Sequence, residues 1–440
     1  MNLEEKLRLL KPLPTRRVGG DGRGQPLDDL LRQAVRLRPA AARPTPPLGR
    51  GAKGRIEDIN DLIDGRLVRN RRGEFFAAEQ RLPFGRPYGR ARIGDIASAD
   101  FSTLKLLFEG QGGLPDVSRW VFLDTETTGL AGGAGTLAFL VGLGTVEGNG
   151  FRVRQFFLRD FPDEPAMLEE LSEVLRSYEG IVTFNGKTFD LPLLENRFVL
   201  SRRRSPFRTL LHLDLLHPAR RLWKLRLESC KLTHLEDRIL GIRREGDIDG
   251  AEIPAVYFDY LRTGSARGLQ GVFFHNALDI ITLAALTVEM TEALGSDPWE
   301  RVADGLDLFS LSRILERAGE RERSAETCRR ALSAGLPSGV ETRALLQLAS
   351  HLKRQRRFEE AVRIWLRLTR RAKPVAEAFE QLAMYSEHRQ RDYVAALDLV
   401  RQFLQRNGKR PLPASVSSRF AHRLNRLERK TGLLLQEQAN

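Results

Sequence analysis

Cysteine is scarce: Cys230 and Cys328 are the two thiols in 440 residues. Standing 98 positions apart, they make neither a disulfide framework nor a zinc site, and a reducing cytoplasm is the expected setting. No uninterrupted apolar run reaches the roughly 18 residues that argue for a membrane span, so no membrane association is expected. The opening Met1-Asn2-Leu3-Glu4-Glu5-Lys6 is acidic and lacks the apolar stretch of a signal peptide. What remains is globular in composition, with 41% hydrophobic and 29% charged residues. The length suits about three units.

Charge is unevenly distributed. The net charge is +14, yet residues 1–100 hold 21 basic against 13 acidic side chains, residues 101–300 hold 22 against 28, and residues 301–440 hold 28 against 16. An acidic middle between basic flanks suits a metal-dependent site held near a polyanion. An arginine-rich surface without a polyanionic partner would give part of the same excess.

Residues 15–55 are dominated by Gly, Pro and Arg, with one short apolar periodic piece at Leu27–Leu37, and read as a tethered basic arm. The expected organisation is a basic, largely disordered arm over 1–75, a lead-in over 76–115, an α/β domain over 116–295 and a helical repeat domain over 300–440. The lead-in carries one predicted helix, Ala99–Glu109, broken at Gly110. In the central domain, short apolar strands are expected at Trp120–Leu123, Leu137–Val146, Phe151–Leu158, Ile181–Phe184 and Thr209–Leu216. Glu147-Gly148-Asn149-Gly150 separates two of them as a hairpin turn. Helical period marks Ala166–Tyr178, Leu191–Leu200 and Leu278–Leu294. Strands first, then strands alternating with helices, describe a mixed sheet flanked by helices. The last third repeats: Leu348-Ala349 recurs at Leu382-Ala383 and Ala361 at Ala395, with an earlier copy around Ala325. A period near 34 with small residues at helix contacts resembles tetratricopeptide helix pairs.

Chemistry concentrates in three places. Asp124 and Glu126 stand two apart at the end of a strand and so share a face, where like charges repel unless a divalent cation lies between them. Asp190 closes Asn185-Gly186-Lys187-Thr188-Phe189-Asp190 between a strand and a helix, where it also suits a cap. His275 and Asp279 are four apart, on one helix face, with Asp279 among apolar neighbours that make an unpaired charge costly. Four carboxylates from three elements can hold two divalent ions, Mg²⁺ or Mn²⁺, about 4 Å apart, the arrangement used for in-line phosphodiester hydrolysis. An imidazole beside them, His275, can accept or orient the water's proton. His212, Asp214 and His217 form a second cluster in which Asp214 reads either as a support for the ligand residues or as structural, and no zinc site is expected.

Asp-X-Glu, then Asn-X3-Phe-Asp, then His-X3-Asp resemble, in that order, the three exonuclease motifs of the DEDD superfamily on a ribonuclease H-like fold. His212-X-Asp214-Leu215-Leu216, Arg221-Leu222-Trp223, Leu235-Glu236 and Ile239-Leu240-Gly241 are similar to the YprB-like family of predicted exonucleases, which often carries tetratricopeptide repeats after the nuclease domain. The resemblance implies that Asp124, Glu126, Asp190 and Asp279 are metal ligands. It places Asn185 near a terminal nucleotide and Phe189, the motif's aromatic, in the core or at the substrate, and it leaves Lys187 as a phosphate contact or an exposed loop lysine. His275 takes the spacing of the tyrosine subclass, and its implied role is to orient the attacking water. The activity so implied is 3′–5′ exonuclease action on single-stranded DNA or RNA, with a protein partner bound through the helical repeats. The alternative is a non-catalytic nucleic-acid-binding adaptor that uses the same platform to recruit a partner.

Overall fold

The structure, a computed structural model, describes residues 57–107, 113–129, 135–244, 246–295, 302–408 and 410–439. The chain divides into two compact units between Arg301 and Val302.

In the first unit, the described residues form a seven-stranded mixed sheet in the order β1-β2-β7-β6-β5-β8-β9. Its strands are β1 (Gly65–Asn70), β2 (Gly73–Pro83), β5 (Trp120–Thr127), β6 (Ala138–Glu147), β7 (Gly150–Phe157), β8 (Gly180–Thr183) and β9 (Leu211–Asp214). A small separate hairpin joins β3 (Pro87–Tyr88) and β4 (Ala91–Arg92). Strands β1, β2, β7, β6 and β5 pair antiparallel, whereas β5, β8 and β9 run parallel. The parallel strands are connected through helices, α1 (Glu164–Leu175) and α2 (Asp190–Leu200), as a parallel crossover demands. Helices α3 (Leu216–Trp223), α4 (Ile253–Thr263) and α5 (Leu269–Leu294) follow.

Strand β1 and the first residues of β2 lie in the segment 1–75 expected to be a largely disordered arm, and this is a correction. Two of the arginines that make residues 65–75 basic pair with acids, Arg69 with Glu74 at 2.7 Å and Arg71 with Glu169 of α1 at 2.8 Å. Phe75 and Phe76 of β2 are fully buried. Gly73 closes the tight β1–β2 turn with φ +134°, a backbone region that side chains seldom adopt. The rest of the expected arm, residues 1–56 with the piece Leu27–Leu37, lies outside the described residues. The helix predicted at Ala99–Glu109 is replaced by one helical turn, Asp95–Ser98, and a 3₁₀ stretch, Phe101–Leu107.

The core beneath the sheet includes Val121 and Leu123 of β5, Leu193, Leu194 and Phe198 of α2, and Tyr257 of α4, which stacks on Phe139 with ring centroids 4.0 Å apart. Helix α5 packs across β5 and β6. By length and composition it is apolar enough to cross a membrane, but most of it is buried within this unit. Two glycines on β6 admit it. A Cβ on Gly142 would collide with the Asn276 amide, and one on Gly144 would collide with Ile280.

The second unit is helical in its described residues: α6 (Gly305–Arg317), α7 (Arg321–Ala334), α8 (Ser338–Arg354), α9 (Phe358–Thr369), α10 (Ala376–Tyr385), α11 (Tyr393–Asn407) and α12 (Ala414–Ala439). Each packs on its neighbours in sequence. The small residues noted in the repeat, Ala325, Ala349, Ala361 and Ala383, are buried. In the last copy the buried position is Ala396 rather than Ala395, one residue further along. Phe379, Phe403 and Phe420 join α10, α11 and α12 in one core, with Phe403 and Phe420 stacked at 4.1 Å.

Candidate metal centre

Strand β5 carries Asp124 and Glu126 towards its C-terminal end, in register with Gly142 and Leu140 of β6. Alternation along the strand places both on one face. Pairing with β6 shifts register between Glu126 and Thr127, so the ladder is irregular where the carboxylates stand. Helix α5 delivers His275, Asn276 and Asp279 to this end of the sheet. Asn276 Nδ2 donates to Asp124 Oδ2 at 2.9 Å, while Gln155 Nε2 of β7 donates to Asn276 Oδ1 at 3.0 Å. Asp124, Gly142 and Gln155 stand side by side across three strands, and the absent side chain of Gly142 is the gap through which Asn276 reaches.

Glu126, His275 and Asp279 offer ligand atoms that all lie within 4.8 Å of one another, a group that could hold a metal ion. His275 thus stands among the donors rather than beside them. Asp124 and Asp190 fall outside this tightest group but within its electrostatic reach. Burial and the charges of Asp279, Glu126 and Asp190 hold the Asp124 carboxyl well above the carboxylate range, against the Asn276 hydrogen bond. Glu126 is pushed up to about 8 by burial and by Asp279 and Asp190, with His275 opposing. Asp190 begins α2 and accepts the Thr125 hydroxyl at 2.5 Å; burial raises it to about 6 despite that bond. Carboxyl groups raised together by burial and mutual repulsion are a set short of positive charge. Hard oxygen donors of this kind suit Mg²⁺ or Mn²⁺. The residues present therefore fit the divalent ions.

His275 is anchored from a loop. Its Nδ1 lies 2.7 Å from Asp247 Oδ2, and its Nε2 lies 3.6 Å from Asp279 Oδ2. Burial pulls the imidazole down, but the Asp247 hydrogen bond and the charges of Asp279 and Asp247 outweigh it and raise the ring to about 9. Beside Asp247, the guanidinium of Arg244 reaches Glu236, Asp247 and Asp279 together.

The turn after β8 holds the remaining predicted residues. Asn185 sits in the left-handed region, φ +64°, and its N–H donates to Asp214 Oδ1 at 2.7 Å. Asp214 also accepts from the N–H groups of Lys187 and Leu216, at 3.1 Å each, so it fastens this turn to the end of β9. His212 Nε2 pairs with Thr183 Oγ1 at 2.8 Å, and burial lowers its imidazole to about 4. Asp214 and His212 are thus engaged in hydrogen bonds within the fold, whereas His217 is exposed. Lys187 is exposed. Phe189, for which a place in the core was one expectation, is instead 52% exposed. It immediately precedes Asp190 in the chain.

Asn276, Asp247 and Arg244 escape a reading by motif, and Glu236, part of the Leu235-Glu236 segment, has no role assigned by it. Asn276 carries a signal nonetheless: it is a fully buried amide in an apolar helix, flanked by two motif positions.

The RNase_H_2 family of the RNase_H superfamily matches residues 121–291, the span from β5 through most of α5. An "Uncharacterized protein YprB" of Bacillus subtilis (strain 168) is 33% identical over 313 residues, or 70% of this chain and 74% of that protein. The chain belongs to the YprB family. Its domain is of the RNase_H superfamily, whose members are usually nucleases that use divalent metal ions. A nuclease-like fold implies nucleic-acid binding, and the acidic group on β5 and α5 lies within the matched span.

Proposed function

We propose that this YprB-family chain is a divalent-metal-dependent 3′–5′ exonuclease acting on single-stranded DNA or RNA, with Asp124, Glu126, Asp190 and Asp279 as ligands. The observation that carries this reading is the meeting of Glu126, His275 and Asp279 within 4.8 Å, with Asp124 and Asp190 raised beside them. Two divalent ions would neutralise the carboxylates and the scissile phosphate and activate water for in-line attack.

The chain's own groups supply the rest. Asn276 and Thr125 orient Asp124 and Asp190. Asp247 holds Nδ1 of His275 and so directs Nε2 into the site, where it orients the attacking water. Phe189 offers an exposed ring on which a terminal base can stack, and Lys187 an exposed cation for a phosphate. The buried free thiols Cys230 and Cys328 accord with a reducing cytoplasm. The successive helix pairs of the second unit support a tetratricopeptide-like repeat whose groove takes a protein partner.

The test is hydrolysis of a 3′-labelled single-stranded oligonucleotide with Mn²⁺. Activity in the wild type and its loss in Asp124→Ala and Asp279→Asn are expected. Activity that survives both changes would remove the carboxylates from the reaction, and cutting of circular single strands would make the enzyme an endonuclease.

A further inference from the structure

Arg244 is the least expected side chain at the centre. It is 6% exposed, and each of its partners is a carboxylate. Nε donates to Glu236 Oε2 at 2.7 Å, Nη1 to Asp247 Oδ2 at 3.1 Å, and Nη2 to Asp279 Oδ1. Glu236 is itself 1% exposed and accepts from the Thr282 hydroxyl, which pairs with the Tyr88 hydroxyl at 2.7 Å. The guanidinium is therefore built into the floor of the site. A surface arginine that had swung inward would lack this chain of buried partners. Arginine keeps its charge in proteins, so this cation is permanent.

Two consequences follow from the geometry. Asp279 has two oxygens, and Oδ1 is engaged by Arg244; Oδ2, 3.6 Å from His275 Nε2, is the one left on the imidazole side. The same guanidinium joins Asp247 to Asp279, the two carboxylates that flank the opposite nitrogens of His275. A planar fork can hold two carboxylates in one fixed relation, which a lysine ammonium cannot.

We infer that Arg244 is a positioning residue that makes Asp279 a one-oxygen ligand, aligns His275, and keeps a fixed positive charge beside the metal position. This deepens the nuclease reading and rests on it. The fixed charge opposes metal entry while the fork secures geometry, so the two effects separate on substitution. A residue that only supported the fold would lose affinity and rate together.

The experiment titrates Mn²⁺ into metal-free wild type, Arg244→Gln and Arg244→Lys by calorimetry, checks folding by circular dichroism, and measures kcat on a labelled single strand at saturating Mn²⁺. Arg244→Gln should bind Mn²⁺ about 10-fold tighter or more, because a nearby like charge is gone. Its kcat should fall by about 10- to 100-fold, the usual cost of losing an outer-shell partner. Arg244→Lys keeps the charge and loses the fork, so affinity should stay within about 3-fold while kcat still falls. Unchanged or weaker Mn²⁺ binding in a folded Arg244→Gln protein overturns the inference. If Arg244→Gln does not fold, full kcat in Arg244→Lys overturns it. A wild type that takes up no Mn²⁺ instead removes the metal-dependent reading itself.

Discussion

Asp247 Oδ2 lies 2.7 Å from Nδ1 of His275, a contact across 28 residues that joins a charged loop to the apolar helix α5. With a carboxylate on Nδ1, the neutral ring carries its lone pair on Nε2, the nitrogen facing Asp279. Asp247→Asn keeps the shape and removes the charge. The His275 imidazole should then titrate well below about 9, since the hydrogen bond and the charge of Asp247 are two of the causes that raise it. Nuclease activity should fall by about 10- to 100-fold. NMR titration of the ring in the metal-free protein measures the first effect directly. A ring that still titrates near its original pH would assign the rise to Asp279 alone.

Gly142 and Asn276 make a second prediction. Any side chain on Gly142 occupies the place of the amide that orients Asp124. Gly142→Ala should destabilise the unit by about 1–3 kcal/mol, the usual cost of overpacking a core. It should also lower kcat by displacing Asn276. Asn276→Ala in the same background should add little, because the two changes act on one contact. Fully additive losses in a double-mutant cycle would show that Gly142 acts elsewhere.

How much of this was legible depends on where the information lies along the chain. Asp124 with Glu126 and His275 with Asp279 are short-range pairs, and strand or helix periodicity is enough to put each pair on one face. The sheet order is harder to read, but the turn at Glu147–Gly150 and the apolar runs at Gly180–Thr183 and Leu211–Asp214 mark strands locally. Arg244 and Asp247 flank a glycine in a charged loop without period, and only the closed fold shows that they meet Asp279 and His275. Strand β1 was hidden for a related reason. Arg69, Arg71 and Arg72 read as a basic tail until Glu74 and Glu169, one of them about 100 residues away, are placed beside them.

Phe189 offers a prediction in which folding and function part. The ring is 52% exposed, so Phe189→Ala removes little from the core and the melting temperature should stay within about 2 °C. Stacking of a base on an aromatic ring is worth about 1–3 kcal/mol. The KM for a single-stranded substrate should therefore rise by roughly 10- to 100-fold. A hydrolysis assay with melting curves on the same preparations decides the matter. An unchanged KM would leave the ring without a base to hold.

The raised carboxyls also tie stability to pH and metal. Folded Glu126 titrates near 8 where the unfolded side chain titrates near 4.5, so between those values the native state holds a proton that the unfolded chain has released. Stability must then fall as pH rises through that window. His275, raised from 6.5 to about 9, contributes in the same direction: its stabilisation is complete below 6.5 and lost as pH climbs through 9. Metal-free protein should melt at progressively lower temperature from about pH 5 to pH 9. Divalent ions reverse the trend by replacing protons, so Mn²⁺ should raise the melting temperature more at pH 8 than at pH 6 and release protons on binding at pH 7. Asp124→Asn separates cause from effect. By removing one of the mutually repelling charges it should stabilise the metal-free protein at pH 8 while abolishing most of the gain from Mn²⁺. Stability that is flat with pH, or an Asp124→Asn protein that still gains fully from Mn²⁺, would show that these carboxyl groups do not share a cation.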